Sequence, residues 1–257
     1  MGDPDMSSHS QAFAAEHYQP RAQDYLSSEV HRQGADLDQI EAELVARRDA
    51  RVLDLGCGGG HVSYRAAPLV REVVACDVTA SMLDIVRGAA VERGLHNVVT
   101  AQAPAECLPF DDATFDVVVA RYTTHHWRDR DAGLREARRV LKPGGLAIFI
   151  DVVAPEQALL DSWLQTLELL RDISHVRNYR VSEWVAALAA AGFSIDSLAP
   201  RLLPMRFADW VARTHTPEAQ VAAIRALQIA APAEVKEHFA MAEDGSFTLG
   251  TVTLIAH

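Results

Sequence analysis

The sequence lacks any run of 18 or more apolar residues, so no helical membrane span is expected. It also lacks the pattern of a secretory signal, since residues 1–11 are polar and show no basic stretch followed by an apolar one. Cysteine is scarce, and Cys57, Cys76 and Cys107 offer neither a disulfide framework nor a metal-binding spacing. We therefore expect a cytoplasmic protein without a structural metal.

Positive charge is in deficit, with 24 lysine and arginine residues against 35 aspartate and glutamate residues and a formal net charge of -11. An acidic surface repels the phosphate backbone of DNA and RNA. Two arginine clusters, at 47–51 and 135–139, contain acidic residues, as solvated helix faces do. Nucleic acid is therefore not an expected partner, and the oligomeric state is left open.

Apolar residues, in contrast, make up 49% of the 257 positions, which is enough for one large α/β domain. Short apolar runs alternate with stretches of helical periodicity from residue 36 to residue 151. This alternation predicts a parallel sheet with right-handed crossovers. The predicted strands are 51–55, 72–77, 97–101, 115–120 and 146–151, and the predicted helices are 36–46, 61–68, 81–92 and 131–141.

The pattern changes after residue 151. Helices are predicted over 159–173 and 182–191, and the alternating segments 194–198 and 247–256 are typical of exposed or edge strands. The segment 207–238 is helical in pattern but is interrupted by Pro217 and Pro232. We predict a seven-stranded, mostly parallel sheet with helices on both faces. An N-terminal tail and lid at 1–35 precedes the main domain, 36–257, which carries a helical cap inserted at about 199–240.

A glycine-rich turn, Asp54-Leu55-Gly56-Cys57-Gly58-Gly59-Gly60, stands between the first predicted strand and a helix. Glycines let the backbone approach a ligand closely and adopt positive φ, so the context is that of a nucleotide-binding turn. Asp77 closes the second predicted strand, 23 positions after Asp54, where a carboxylate can accept both hydroxyls of a ribose. His61 stands where a dinucleotide fingerprint has Gly or Ala, which favours an adenosyl ligand other than NAD.

Further motifs follow the turn along the chain: Asp77 with Val78 and Met82, and the stretches 105–110, 115–118, 121–126, 139–145, 170–177 and 182–184. Together with the turn they resemble class I S-adenosylmethionine-dependent methyltransferases, of the branch that includes ubiquinone and menaquinone C-methyltransferases. The likeness is strongest to uncharacterised bacterial members and covers nearly all the chain from about Phe13. It implies a Rossmann-like fold with S-adenosyl-L-methionine as the cofactor.

The resemblance also implies a role for individual residues. The glycines of the turn would lie beneath the methionine portion and Asp54 would hold its ammonium group, although Asp54 could instead cap a helix. Asp77 would bind the ribose, Val78 and Met82 would pack on the adenine, and Ala105 and Glu106 would address its edge. Pro104 stands where many relatives have an Asp for the adenine amino group. The predicted cofactor-binding residues are Tyr25, His31, Asp54, Gly56, Cys57, Gly58, Gly60, Asp77, Val78, Met82, Ala105, Glu106 and Arg121.

Candidate catalytic residues follow the fourth predicted strand, at the sheet edge where open α/β folds bind ligands. His125 and His126 are the predicted catalytic residues, since a histidine can act as a base near neutral pH. Either one could instead only bind a loop carbonyl. No carboxylate or thiolate stands at a spacing that would complete a metal site with them. Arg121, Tyr122 and Trp127 are neighbouring candidates.

Two further segments are predicted to enclose the site. Tyr18, Tyr25 and His31 lie on an N-terminal stretch that folds over the cofactor in relatives, with helix packing as the alternative. From the cap side, residues predicted to line an acceptor pocket are His175, Arg177, Trp184 and Trp210, although core packing also suits both tryptophans.

The predicted function is methyl transfer to a small acceptor, apolar or aromatic in character, at an undetermined carbon, oxygen or nitrogen atom. Two alternatives come from other classes. A nucleotide-dependent oxidoreductase would bind NAD, and a sensor or interaction module would bind the cofactor without catalysis. His61 and the missing proton-relay motif count against the first, and an activity assay separates the second.

Overall fold

A computed structural model describes residues 34–257, and an eight-stranded sheet organises them. Seven strands follow the order β3-β2-β1-β4-β5-β8-β7, and the short β6 pairs with the end of β5. The strands are β1 (Arg51–Leu55), β2 (Glu72–Asp77), β3 (Val98–Gln102), β4 (Phe115–Arg121), β5 (Leu141–Ala154), β6 (Tyr179–Arg180), β7 (Ile195–Met205) and β8 (Phe247–Ala256).

The first five strands are parallel, so their carboxyl ends meet along one edge of the sheet. The chain moves outward from β1 to β2 and β3, and then returns to the other side of β1 as β4. This reversal opens a crevice beside the carboxyl ends of β1 and β4, where ligands bind in open α/β sheets. The predicted Rossmann-like, mostly parallel fold is confirmed.

Helices cover both faces of the sheet, because successive side chains along a strand point to opposite sides. Val52 belongs to a buried cluster with α1 and α2, whereas Leu53 belongs to a second cluster with α4 and α6. The helices are α1 (Ala35–Leu44), α2 (His61–Ala66), α3 (Ala80–Glu92), α4 (Arg130–Val140), α5 (Ala158–Arg171), α6 (Val181–Ala190), α7 (Phe207–Arg213), α8 (Glu218–Ala230) and α9 (Ala233–His238). No helix of the described chain is long and apolar enough to cross a bilayer.

The prediction that residues 247–256 form an exposed or edge strand is wrong. β8 lies between β5 and β7, is antiparallel to both, and is buried almost throughout. The small and polar residues that alternate in this segment suggested exposure, but in the sheet they lie in a strand that has β5 on one side and β7 on the other. β7 is the edge strand, and it continues beyond the predicted 194–198 through Pro200 and Pro204. An edge tolerates proline because one side of the strand needs no ladder hydrogen bonds.

The predicted helical cap is built by α7, α8 and α9. Pro217 and Pro232 stand immediately before α8 and α9, as their rigid φ angles and missing N–H groups predict. Trp210, Ile224 and Phe239 from this region pack with α5 and with the ends of β5 and β8 in a third buried cluster. Residues 199–205 belong to β7, so the helical part begins at Phe207.

Candidate active site

The glycine-rich turn is folded tightly against its neighbours. Gly56, Gly58 and Gly60 have φ angles of 70°, 48° and 81°, which other residues rarely adopt. A Cβ on Gly56 would lie 2.0 Å from Oγ1 of Thr123, so only glycine fits beside the loop after β4. The amides of Gly56 and Cys57 both donate to the Cys76 carbonyl, at 2.8 and 2.9 Å. The turn is therefore fixed to the carboxyl ends of β2 and β4.

Asp54 takes the helix-capping role that the sequence left open. Its Oδ2 atom accepts hydrogen bonds from the amide and the hydroxyl of Ser63, at 3.0 and 2.6 Å. Ser63 stands in the first turn of α2, where amides have no partner within the helix. Burial raises the pKa of Asp54 to about 6, although the Ser63 hydrogen bonds act in the opposite direction. Asp54 thus ties β1 to the start of α2.

Asp77, in contrast, faces a cavity over the carboxyl edge of the sheet. Its Oδ2 accepts from the Gly58 amide at 2.9 Å and its Oδ1 from the Thr79 amide at 2.8 Å. A carboxylate oxygen can accept more than one hydrogen bond, so a ligand in the cavity can also donate to this carboxylate. Burial raises the pKa of Asp77 above its ordinary value, while these amides act to lower it.

One group of cavity-lining residues comes from the turn, from the end of β2 and the first turn of α3, and from the loop after β3. It contains seven predicted cofactor-binding residues and Pro104, the residue that departs from many relatives. Glu106 has a structural task as well, since its Oε1 accepts from the Arg128 amide at 2.9 Å and from the Asp129 amide at 3.2 Å. The seven residues are Gly56, Gly58, Asp77, Val78, Met82, Ala105 and Glu106.

Four predicted cofactor-binding residues are not among those that line this cavity. Asp54 and Gly60 support α2, and Cys57 packs with Leu83 and Val86, where burial raises the pKa of its thiol. Arg121 places its Nε atom 2.6 Å from Oδ2 of Asp36, an ion pair that is almost fully buried and joins β4 to α1. The other two, Tyr25 and His31, lie outside the described residues, as does Tyr18, so the lid stays a prediction.

His125 and His126 both line the cavity, but their ring nitrogens have different surroundings. Nδ1 of His125 lies 2.6 Å from Oδ1 of Asp151, whose other oxygen accepts from the His125 amide at 3.2 Å. Because the carboxylate accepts, the proton of the neutral ring is on Nδ1, and Nε2 then has the lone pair. No described residue forms a hydrogen bond with this Nε2. Burial acts to lower the pKa of His125, but the Asp151 charge and hydrogen bond outweigh it and raise that pKa above 6.5.

His126 shows the loop-binding role that the sequence left as an alternative. Its Nδ1 lies 3.2 Å from the Ser174 carbonyl, and the Ser174 hydroxyl donates to Asp172 at 2.6 Å. Nδ1 of His126 must therefore carry the proton. Burial and the neighbouring His125 lower the pKa of His126 to about 4, so the ring is neutral at pH 7. Across residues 34–257, no three His, Cys, Asp or Glu side chains gather as a metal site.

A second group of lining residues comes from the ends of β4 and β5 and from the cap side. Trp210, predicted for this pocket, belongs to it, with the Arg171 guanidinium 5.1 Å from its ring centre. His175 and Arg177 are not in this group, and Trp184 lies in the sheet core, the alternative considered for it. The group contains Tyr122, Thr123, Val152, Glu168, Arg171, Asn178, Leu203, Met205, Trp210, Arg213 and Leu249.

Sequence reasoning missed Asp151, Glu168 and Asn178. A signal existed for the two acids, since each interrupts an apolar pattern: Asp151 directly follows the apolar run of β5, and Glu168 lies on the buried stripe of α5. A buried carboxylate must find a partner, which marks such positions for attention. Asn178 lies in an irregular loop, where no periodic pattern indicates which side chain is buried.

The comparisons with known proteins agree with this geometry. A family model described as "Methyltransferase domain" matches residues 53–149, from β1 into β5. The chain is 36% identical to the uncharacterised methyltransferase YcgJ of Bacillus subtilis, over 78% of this chain and 79% of that protein. The chain belongs to the S-adenosylmethionine-dependent methyltransferases. The cofactor of this methyltransferase is S-adenosylmethionine, which confirms the prediction and excludes the oxidoreductase alternative.

Other matches locate the methyltransferase within its family. It is 48% identical to the uncharacterised protein YafE of Escherichia coli, over 79% of this chain and 98% of that protein. It is 36% identical to the ubiquinone/menaquinone biosynthesis C-methyltransferase UbiE of Cellvibrio japonicus, over 56% and 58% of the two chains. The crystal structure of Bacillus subtilis YcgJ superimposes with a TM-score of 0.83 at 33% identity, covering 86% of this chain and 97% of that chain. The predicted likeness to that branch and to uncharacterised bacterial members is confirmed.

Proposed function

We propose that this methyltransferase transfers a methyl group to a small aromatic or apolar acceptor, with His125 as the general base. The observation that carries the proposal is the position of the His125 ring between the Asp151 carboxylate and the cavity. Asp151 fixes the proton on Nδ1, and Nε2 belongs to a ring that lines the cavity. A base in this arrangement suits an acceptor atom that must lose a proton as it is methylated.

The residues of the first lining group fit the cofactor. A Cβ on Gly58 would meet no atom of residues 34–257 within 4 Å, so the described part of the chain leaves space over the backbone of the turn. We propose that the methionine portion lies there, that Asp77 accepts the ribose hydroxyls, and that Val78 and Met82 pack on the adenine. Because Pro104 has no polar side chain for the adenine, we propose that backbone groups recognise the adenine, with the Ala105 amide as the donor. The bound sulfonium supplies an activated methyl group, so the protein needs mainly to align the acceptor and exclude water.

Asp151 positions the base. The carboxylate holds the His125 ring in one tautomer and stabilises the positive charge that the ring acquires when Nε2 accepts a proton. His126 is less suited to this role, because its conjugate acid has a pKa of about 4 and its Nδ1 is engaged with Ser174. A base works best when its pKa lies near the operating pH. We therefore assign the catalytic role to His125 rather than to both histidines.

The second lining group supports a small acceptor of mixed character. Tyr122 and Trp210 offer aromatic surfaces, and Leu203, Met205 and Leu249 offer apolar ones. The helical cap lies on this side of the cavity, and a pocket enclosed in this way suits a small molecule better than a polymer. Glu168 and Arg171 form an ion pair at 3.1 Å within the same wall, so the pocket also contains polar groups for orientation.

The test has two parts. Calorimetric titration of the full chain should show binding of S-adenosylmethionine and S-adenosylhomocysteine with dissociation constants on the order of micromolar. Methyl transfer from labelled S-adenosylmethionine should then be measured on a panel of phenols, enolisable ketones and amines. Transfer to phenols or enolisable ketones that is lost in His125→Gln supports the proposal. Efficient transfer to amines by His125→Gln would show that no base is needed and would overturn it.

A further inference from the structure

Asn178 carries an unsatisfied buried donor in the cavity wall. The residue is only 1% exposed, and it contributes to the wall of the cavity. Its side-chain amide nitrogen is buried and has no hydrogen-bond acceptor among the described residues. A buried N–H group without a partner costs free energy, so such a group in a native site needs an explanation.

The fold does not require this amide. Asn178 is fixed through its backbone, since its N–H donates to Oε1 of Gln165 at 3.0 Å and its carbonyl accepts from Nε2 of Gln165 at 2.7 Å. Gln165 in turn accepts from His175 at 3.0 Å. Any side chain of similar size could occupy position 178 and keep these contacts. Among residues 34–257, the amide group therefore has no hydrogen-bond partner that would account for it.

The loop that carries Asn178 is also attached to the proposed base. The amides of Val176 and Arg177 both donate to the carbonyl oxygen of His125, at 2.9 and 3.2 Å. Asn178 follows immediately, and both His125 and Asn178 line the same cavity. A ligand that presents an acidic proton to His125 therefore occupies a cavity whose wall includes the residue with the unsatisfied amide.

We propose that the Asn178 amide donates a hydrogen bond to a neutral carbonyl oxygen of the methyl acceptor and so selects acceptors that carry one. This inference rests on the proposed function. A neutral oxygen suits a neutral donor, and the nearby cation Arg171 is already paired with Glu168 and with the Trp210 carbonyl, at 3.1 Å each. Arg213 lines the same part of the cavity, so a carboxylate on the acceptor is the competing chemistry and forms a separate arm of the test.

The test uses three phenols that share one ring: 4-hydroxyacetophenone with a ketone, 4-ethylphenol without it, and 4-hydroxybenzoate with a carboxylate. Their affinities are measured by NMR for the full chain saturated with S-adenosylhomocysteine, so that no turnover occurs. We expect the ketone to bind wild type about tenfold more tightly than 4-ethylphenol, as one net hydrogen bond provides. Asn178→Leu should abolish this preference and leave S-adenosylhomocysteine binding unchanged, and Asn178→Ala is the second variant if the first does not fold.

Asn97→Leu is the matched control, because the Asn97 amide is satisfied by the carbonyls of Ala67 and Val70, at 2.8 and 3.0 Å, outside the cavity. It should lower Tm and keep the ketone preference, whereas Asn178→Leu should not lower Tm. Equal or absent binding of the ketone and 4-ethylphenol to wild type, or a preference that survives in both Asn178 variants, would overturn the inference. Tighter binding of 4-hydroxybenzoate than of the ketone would also overturn it, because the site would then select a carboxylate and not a neutral carbonyl. Failure to bind S-adenosylhomocysteine would instead count against the proposed function.

Discussion

Nδ1 of His125 lies 2.6 Å from Oδ1 of Asp151, across two strands that are neighbours in the sheet. His125 follows the end of β4 and Asp151 lies in β5, so their contact depends on the parallel register in which Arg121 pairs with Ile150. The pair is thus a direct product of the sheet topology. The effect of Asp151 on the pKa of His125 can be measured without knowing the methyl acceptor.

Asp151→Asn should lower the pKa of His125. In the wild type the Asp151 charge and hydrogen bond raise that pKa above 6.5 against the effect of burial, and without the charge burial dominates. We expect the His125 pKa to decrease, and NMR titration of the His125 ring protons measures the change. Asp116→Asn, which alters an ion pair with Lys142 outside the cavity, is the control. An unchanged His125 pKa in Asp151→Asn would show that the pair does not control the ring.

His125→Gln should reduce methyl transfer about 100- to 10,000-fold, the usual contribution of a general base. Binding of S-adenosylhomocysteine should not change, because His125 acts on the acceptor. The wild-type rate should rise with pH through a value above 6.5, since the base must be unprotonated and its pKa is raised. His126→Gln should have the smaller effect. A rate that does not depend on pH between 6 and 8 contradicts the assignment.

Asp77→Ala should weaken cofactor binding by about 2 to 3 kcal/mol, because the ribose hydroxyls lose a charged acceptor in a partly desolvated site. The fold should persist, since the loss affects only the Gly58 and Thr79 contacts at the end of β2. Calorimetry with S-adenosylhomocysteine measures the change. Asp84→Ala removes an exposed carboxylate from α3 and should leave the affinity unaltered. Equal affinities for Asp77→Ala and wild type would remove Asp77 from the ribose site.

The free energy of unfolding should fall as the pH drops below 6.5, in part because of His126. Its pKa is about 4 in the folded state, so the unfolded chain binds the proton more readily. The stabilisation is present above pH 6.5 and is lost as the pH falls toward 4. His126→Gln should reduce the slope by up to about 1.4 kcal/mol per pH unit. Urea denaturation at several pH values tests this, and identical slopes would show that His126 titrates normally.

Gly56→Ala should destabilise the protein, whereas Gly88→Ala should stabilise it. A Cβ at position 56 would collide with Thr123 at a φ of 70°, while a Cβ at position 88 meets nothing within 4 Å on the exposed side of α3. Alanine in an exposed helix is favoured over glycine by about 0.5 to 1 kcal/mol. Thermal denaturation of both variants compares the same substitution in two settings. Equal stability of Gly56→Ala and wild type would mean that Thr123 can move away.

The sequence predicted the parts of the fold that depend on local patterns. The apolar runs give β1 and β2 with their observed bounds, and the prolines correctly divide the cap helices. The strand order around β8 could not be read in this way, because burial of 247–256 depends on which strands lie on each side. Strand pairing is a property of the assembled sheet and leaves only a weak trace in the alternation of one strand.

The candidate site shows the same division. Asp77 and the loop after β3 could be placed from motif positions, since each lies directly after a strand. The sequence could not rank His125 above His126, because the difference comes from Asp151 and Ser174, which are 26 and 48 residues away. It could not assign Arg121 to a buried pair with Asp36 for the same reason, since 85 residues separate them.

The position of β8 has a consequence for biosynthesis. β7 emerges from the ribosome before β8, yet its ladder partner in the sheet is β8 alone. During translation, β7 must therefore wait with an unpaired edge while the cap helices and then β8 are made. β8 pairs with both β5 and β7, and its contacts with β5 join segments that are about 100 residues apart in the chain. Until β8 is made, the edge of β5 that β8 covers in the folded sheet is open, and an open strand edge can pair with other chains.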